Sequence, residues 1–218
     1  MAAAEITAPA KFKLSQRGYE DLVKHEGNRL AVYDDKTGKP INSYEEARGY
    51  PTIGLGILID TPAEREKFRP YLGGRKADPA FIEAANKENI ARFEAQLNAK
   101  LGAGAKLTQS MFDSLFSLSW NTGSGSRSVR SAVAAIIAED YPAAQVAIAT
   151  GPQTSKGVTL AGLVRRRTEE AARFMEDGLP GGAATLLKSN TLLIAGAISV
   201  SALLLMFVMS KGRRRRGR

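Results

Sequence analysis

Carboxylates, hydroxyls and amides are the catalytic materials this chain has to work with. It has no cysteine and a single histidine, His25. That excludes thiol nucleophiles, disulfides and cysteine-ligated zinc, and leaves no supporting constellation for a histidine triad or a His-rich metal site. No metal and no cofactor are expected. The polar groups that could do chemistry cluster early: Lys24-His25-Glu26-Gly27, then Tyr33-Asp34-Asp35, then Tyr50-Pro51-Thr52-Ile53-Gly54-Leu55-Gly56. Glu26 falls in the last turn of a predicted helix. There the negative end of the helix dipole favours the neutral carboxylic acid, the form a general acid needs. Position alone leaves an ordinary surface glutamate open as the other reading.

The elements that must position these groups read as follows. Tyr19, Leu22 and Val23 share one face of a helix from Ser15 to Glu26, with Ser15 as N-cap and Gly27 as the stop. Residues 30–60 change character: Leu30, Val32, Tyr33, Thr52, Ile53, Leu55, Ile57 and Ile59 are β-prone and interrupted by Gly38, Gly49, Gly54 and Gly56. This predicts a small antiparallel sheet. Beyond Pro62 the pattern is helical, with segments over Pro79–Leu101, from Thr108 onward, Ser128–Ala138, Pro142–Ala149 and Leu160–Met175. The segment after Thr108 carries Phe112, Leu115 and Phe116 and reads as a buried central helix. The fold class is α+β, a small antiparallel β-sheet with a mainly helical lobe over residues 13–178, preceded by an N-terminal extension at 1–12. That extension has no basic n-region or long apolar run, so no signal peptide is expected.

Residues 179–190 form a Gly/Pro linker, and Thr191 to Met209 is a run of 19 residues without a charge. As a helix it spans about 28 Å, close to a bilayer's hydrocarbon core. A single transmembrane helix over residues 191–210 is expected, followed by a basic tail at 211–218. The formal net charge of +9 lies mostly there: Lys211 to Arg218 hold one Lys and five Arg, leaving 25 basic against 22 acidic residues elsewhere. Arg213–Arg216 beside a membrane helix read as contacts to anionic lipid head groups, with packaged DNA phosphates as the alternative. No groove-reading motif supports specific nucleic-acid recognition. The positive-inside rule puts the preceding domain on the outer side of the membrane. Tail-anchored insertion would give the reverse orientation, and a virion membrane component would reconcile the two.

Three blocks carry a family resemblance. Glu26-Gly27, Arg29-Leu30, Tyr33 and Asp35, followed by Thr52-Ile53-Gly54 and Gly56, resemble the active-site stretch of phage-type lysozymes, glycoside hydrolase family 24. Leu115 to Gly125, with Trp120-Asn121-Thr122-Gly123, is similar to that family's central helix and its end. Gly162-Leu163-Val164, Arg166-Arg167, Glu170 and Phe174 resemble its C-terminal signature. The resemblance covers about residues 14–178. It implies hydrolysis of the β-1,4 bond between N-acetylmuramic acid and N-acetylglucosamine in bacterial peptidoglycan. In the family an Asp follows the Glu by nine residues, which selects Asp35 over Asp34. Glu26 would then be the acid, with Asp35 and Thr52 activating water. Asn121, Arg166 and Gly54 would bind substrate. Arg166 has a second reading, a helix-surface charge paired with Glu170 at i+4, while Arg165 and Arg167 are expected to be solvated. Two departures stand out. The 16 residues Lys36–Pro51 separate Asp35 from Thr52, where simple members have only a few, predicting a longer hairpin. The turn reads Gly54-Leu55-Gly56-Ile57, without the aromatic and following His that many members carry.

A different class of function is a structural membrane protein of a virion whose lysozyme-like domain only binds wall glycan. A binding module has no need of an acid such as Glu26, which favours the enzyme. A holin-like disruptor fits poorly with a single span and a large folded domain. Lytic transglycosylase chemistry fits poorly with retention of both Asp35 and Thr52.

Overall fold

The computed structural model of the chain describes residues 12–155 and 157–180. The expected membrane helix over 191–210 and the basic tail lie outside the described residues, as do most of the N-terminal extension and of the linker. Among the described residues no helix is long and apolar enough to cross a membrane.

Helix α1 (Gln16–Glu26) begins where expected, with Ser15 Oγ accepting from Gly18 N at 3.0 Å, and Gly27 closes it. The small sheet follows as β1 (Arg29–Asp34), β2 (Pro51–Gly54) and β3 (Ile57–Leu58), antiparallel in the order β1-β2-β3. Tyr33 stands opposite Thr52 and Asp34 opposite Pro51. The chain then becomes helical: α2 (Pro62–Phe68), α3 (Pro79–Leu101), α4 (Gln109–Thr122), α5 (Arg127–Ile137), α6 (Tyr141–Ala149) and α7 (Ala161–Phe174). A short hairpin, β4 (Thr154–Ser155) with β5 (Val158–Thr159), precedes α7 and was not expected.

Hydrophobic burial sorts into two cores. One lies under the sheet, with Val32, Ile41, Ile53, Ile57, Ile59, Phe68 and Ile82 among its members. The other surrounds α4, whose Met111, Phe112, Leu115, Phe116 and Leu118 have no solvent exposure. Helix α3 belongs to both: Ile82 and Ala85 near its start pack under the sheet, while Ile90, Leu97 and Leu101 pack on the helical core. Its 23 residues span about 35 Å, enough to reach from one core to the other. The folded body extends slightly beyond the boundaries expected from composition. Phe12 stacks on Phe112 at 5.6 Å between ring centroids, and Leu179 packs against the helical core.

The long connection between Asp35 and Thr52 is more than an extended hairpin. It leaves β1 in a tight turn, where Asp34 N bonds Lys39 O at 2.9 Å, and inserts Ile41 into the sheet core. It returns through a single 3-10 turn at Tyr44–Glu46. At the opposite end of the sheet, Gly54 makes the turn from β2 to β3 with φ of 64°, the left-handed region that disfavours a side chain. A Cβ there would lie 2.4 Å from Asn86 Oδ1. Asn86, fully buried on α3, accepts from Leu55 N at 3.0 Å and donates to Asn28 Oδ1 at 3.2 Å. One amide side chain thus ties α3 to the turn after β2 and to the segment between α1 and β1. Replacing it by alanine leaves the buried Leu55 N–H without a partner, which costs about 1–3 kcal/mol. Asn86→Ala is expected to lower the urea unfolding free energy by that amount, with an unchanged denaturant slope.

Candidate active site

Two halves make the site: a helical side that joins α1 to α7, and a sheet side built on β1 and β2. On the helical side, Glu26 is the last residue of α1, so its carboxylate projects from the C-terminal end of that helix. Arg166, on α7, places Nη1 2.6 Å from Glu26 Oε1. The same guanidinium donates from Nε to Glu170 Oε1 at 3.0 Å and from Nη2 to the Ser117 carbonyl at 3.3 Å. Ser117 Oγ in turn donates to Glu170 Oε1 at 2.6 Å. Arg166 thus pairs with its i+4 neighbour as expected, but from a buried position rather than the helix surface, and it carries a cation to Glu26. Its side chain is only 6% exposed, and that of Glu26 is 23% exposed.

Arg167 corrects the sequence reading. Expected to be solvated, it is fully buried, with Nη1 2.9 Å from Glu170 Oε2 and Nη2 donating to Asn121 Oδ1 at 2.6 Å. The Nη1 contact is close but misaligned for a hydrogen bond, so its value is electrostatic. On α7 successive residues point about 100° apart, and the narrow space beside α4 takes both guanidiniums because Glu170 stands between them. Arg165 does face solvent, as expected. Glu170 meets both guanidiniums, and pairing of this kind is how charges persist in a nearly dry interior. Burial still dominates for the inner members of the cluster. It raises the Glu170 carboxyl above the usual glutamate range despite Arg167, Ser117 and Arg166, and it lowers the Arg167 guanidinium despite Glu170. His25, half-buried one residue before the acid, has its Nε2 3.5 Å from Glu169 Oε2. Burial, and then the nearby Arg166 cation, push it below the ordinary histidine range. It is therefore neutral at pH 7.

On the sheet side, the two adjacent aspartates have different work. Asp34 is buried, and its oxygens are consumed locally: Oδ2 accepts from Thr37 Oγ1 at 2.8 Å, Oδ1 from Gly49 N at 2.9 Å and Lys36 N at 3.2 Å. Burial alone would raise its carboxyl, but these hydrogen bonds outweigh it and hold Asp34 below the usual range. Asp35 is exposed, and Oδ1 accepts from Tyr50 N at 2.7 Å. Thr52, opposite Tyr33, donates from Oγ1 to the Tyr50 carbonyl at 3.0 Å. Tyr33 is held under the Arg29 guanidinium, 4.3 Å from its ring centroid. Its phenol is raised first by burial and further by both the Glu26 and Asp35 carboxylates, so it lies within the field of each.

The model of the family described as "Phage lysozyme" matches residues 23–170. The chain belongs to the phage lysozyme family. Its fold is the lysozyme-like α+β arrangement of a small antiparallel sheet with a mainly helical body, and the family implies peptidoglycan as substrate. Among solved structures, a point mutant of P22 lysozyme superimposes with a TM-score of 0.57 at 23% identity, covering 75% of this chain and 98% of that one. An endolysin from the Escherichia coli O157:H7 phage FAHEc1 gives 0.54 at 26% identity, covering 79% and 99%. The muramidase domain of SpmX from Asticaccaulis excentricus gives 0.55 at 20% identity, covering 75% and 98%. No protein of curated function matches the chain in sequence.

In this phage lysozyme family chain, then, Glu26 is joined to Arg166, while Asp35 and Thr52 are joined to each other through Tyr50. Asn121 is exposed at the end of α4 with its Oδ1 taken by Arg167, which leaves Nδ2 as the free donor. Gly54 is buried against Asn86. Its place is in the turn that carries β2, and no side chain or open face is offered there to a sugar. Among the described residues no group of His, Cys, Asp or Glu is arranged to hold a metal. Sequence reasoning missed Ser117, Asn86, Tyr50 and the buried state of Arg167. Of these, only the i+3 spacing of Arg167 and Glu170 was a visible signal.

The raised Glu170 value has a stability consequence. The folded chain keeps that proton to higher pH than the unfolded chain. The contribution is therefore fully present below the unfolded glutamate range and is lost as pH rises through the folded value. In urea unfolding at a series of pH values, the wild type is expected to lose stability across that window relative to Glu170→Gln. Because the amide cannot supply the second charge that orders Arg166 and Arg167, the same variant is expected to lose on the order of 10²-fold in turnover.

Proposed function

We propose that the chain is a muramidase that hydrolyses the β-1,4 bond between N-acetylmuramic acid and N-acetylglucosamine. The observation that carries this reading is the ion-paired Glu26 at a helix end, with Tyr33 in the field of both Glu26 and Asp35 and with Asp35 and Thr52 held through one main-chain segment. Glu26 gives its proton to the departing glycosidic oxygen as the bond from the anomeric carbon breaks. Asp35 and Thr52 orient a water on the opposite face, and its oxygen forms the new bond while its proton passes to Asp35. This is an inverting scheme, for which carboxyls stand roughly 6.5–9.5 Å apart. The free Nδ2 of Asn121 donates to a sugar acetamido carbonyl.

The site also favours catalysis over simple glycan binding, since a cation carried 140 residues along the chain to one carboxylate serves no binding module. Residues 191–210 form a single-pass membrane helix on this reading, and Arg213–Arg216 meet anionic lipid head groups. The 19-residue uncharged run supports that part, with the catalytic domain facing peptidoglycan in a phage virion or during lysis.

Full-length wild type incubated with purified peptidoglycan is expected to release ends with reducing muramic acid, read by mass spectrometry. Glu26→Gln is expected to be slower by about 10²–10⁴-fold. Anhydro-sugar ends, or no cleavage by wild type, would overturn the assignment. For the anchor, protease added to intact spheroplasts is expected to digest the domain, and protection would contradict the outward orientation.

A further inference from the structure

The 16-residue insertion ends on a segment that is part of the site itself. Tyr50 makes three main-chain bonds to the two groups proposed to handle water. Its N–H donates to Asp35 Oδ1 at 2.7 Å, and its carbonyl accepts from Asp35 N at 3.1 Å and from Thr52 Oγ1 at 3.0 Å. Gly49 lets it come so close: a Cβ on residue 49 would lie 2.0 Å from Asp35 Oδ1 and 2.8 Å from Lys36 Cβ.

The register then brings Tyr50 beside Asp35. Tyr33 is opposite Thr52 and Asp34 opposite Pro51, and the next pair, just past the strand ends, is joined by Asp35 N to the Tyr50 carbonyl and by Tyr50 N to the Asp35 carboxylate. Directly opposed residues share a face of an antiparallel pair, and side chains alternate with a period of two. Tyr33 and the buried Thr52 therefore share one face, the buried Asp34 and Pro51 share the other, and Asp35 and Tyr50 flank each other just beyond the strand ends. Tyr33 is roofed by Arg29, yet the Tyr50 ring is 61% exposed beside Asp35, among the most open large apolar side chains of the described body. Isolated exposed aromatics need no explanation. One whose own main chain is bonded to both water-handling residues is not isolated.

We infer that Tyr50 is a substrate-binding residue whose ring forms a platform for the apolar face of a pyranose of the glycan strand, next to the scissile bond. A ring of this kind offers a flat apolar surface and a hydroxyl that stays wet, at the entropy of two torsions. Held to Asp35 and Thr52 by the same residue's main chain, it sets the sugar's distance from the attacking water. The inference rests on the muramidase reading, and it gives the insertion a role in substrate choice.

The test separates the two. In full-length enzyme, Tyr50→Ala and Tyr50→Leu are expected to lower kcat/KM on purified peptidoglycan about tenfold, mainly through KM, while Tyr50→Phe and Tyr50→Trp stay within about twofold of wild type. Main-chain bonds survive all four changes, so thermal midpoints are expected to agree. An unchanged KM in the Ala and Leu variants, or a loss carried by kcat alone, would overturn the proposal. Sedimentation of Glu26→Gln with peptidoglycan, alone and combined with Tyr50→Ala, reads the ring without turnover. Binding about tenfold weaker in the double variant supports the platform even if wild type cleaves nothing, and equal binding contradicts it.

Discussion

The ion pair between Arg166 and Glu26 is the contact on which the helical half of the candidate site depends. A carboxylate at the C-terminal end of a helix meets a negative dipole, and a cation delivered from α7 holds it in place. Delivering that cation requires Arg166 to cross a nearly dry interior, which is costly without partners. Ser117 on α4 and Glu170 one turn further along α7 supply them, and Arg167 meets the other oxygen of the Glu170 carboxylate. The cluster contributes more to geometry than to stability. Burial works against the charge on both Glu170 and Arg167, so their net contribution to folding is small or adverse. A planar guanidinium with donors in a fixed fork orients the acid in a way a flexible ammonium would not.

The second half of the site is built by the opposite means. Where the helical side uses buried charge, the sheet side uses main chain. Asp34 anchors the turn after β1 with both oxygens, which frees its neighbour to stand in solvent. Tyr50 then ties Asp35 to Thr52 across β1 and β2, and Asn86 secures the far end of β2. The two halves are joined by α3, whose ends lie in different cores, and by Trp120 of α4, which donates to the Leu55 carbonyl at 3.2 Å. Their relative placement is thus set by ordinary packing, far from any charged group.

Much of this was readable in the residues where the signal is local. The Ser15 cap and the Gly27 stop place α1 within a residue of its observed bounds, and Thr108 with the apolar spacing around Phe112 and Phe116 marks the start of α4, because caps and periodicity act over a single turn. The choice of Asp35 over Asp34 came from family spacing, whereas the hydrogen bonds from Thr37, Gly49 and Lys36 that occupy Asp34 show only in the folded chain. What escaped depends on partners distant in sequence. Burial of Arg167 requires Asn121, 46 positions away, and the value of Asn86 lies in bonds to Leu55 and Asn28. The β4–β5 hairpin has strands of two residues, too short to carry any alternation. The family resemblance implied that Gly54 contacts substrate, but the turn after β2 buries it.

Central to the proposed mechanism is direct attack on the anomeric carbon by a water that Asp35 and Thr52 hold opposite Glu26. The anomeric configuration of the first product reports on this without any mutation. Proton NMR of the reducing end, recorded during turnover and before mutarotation, should show the inverted α-anomer of N-acetylmuramic acid. A β-anomer would require a covalent or neighbouring-group intermediate, and a 1,6-anhydro end would require that no water attacks at all. Either result would contradict the water-handling roles of Asp35 and Thr52.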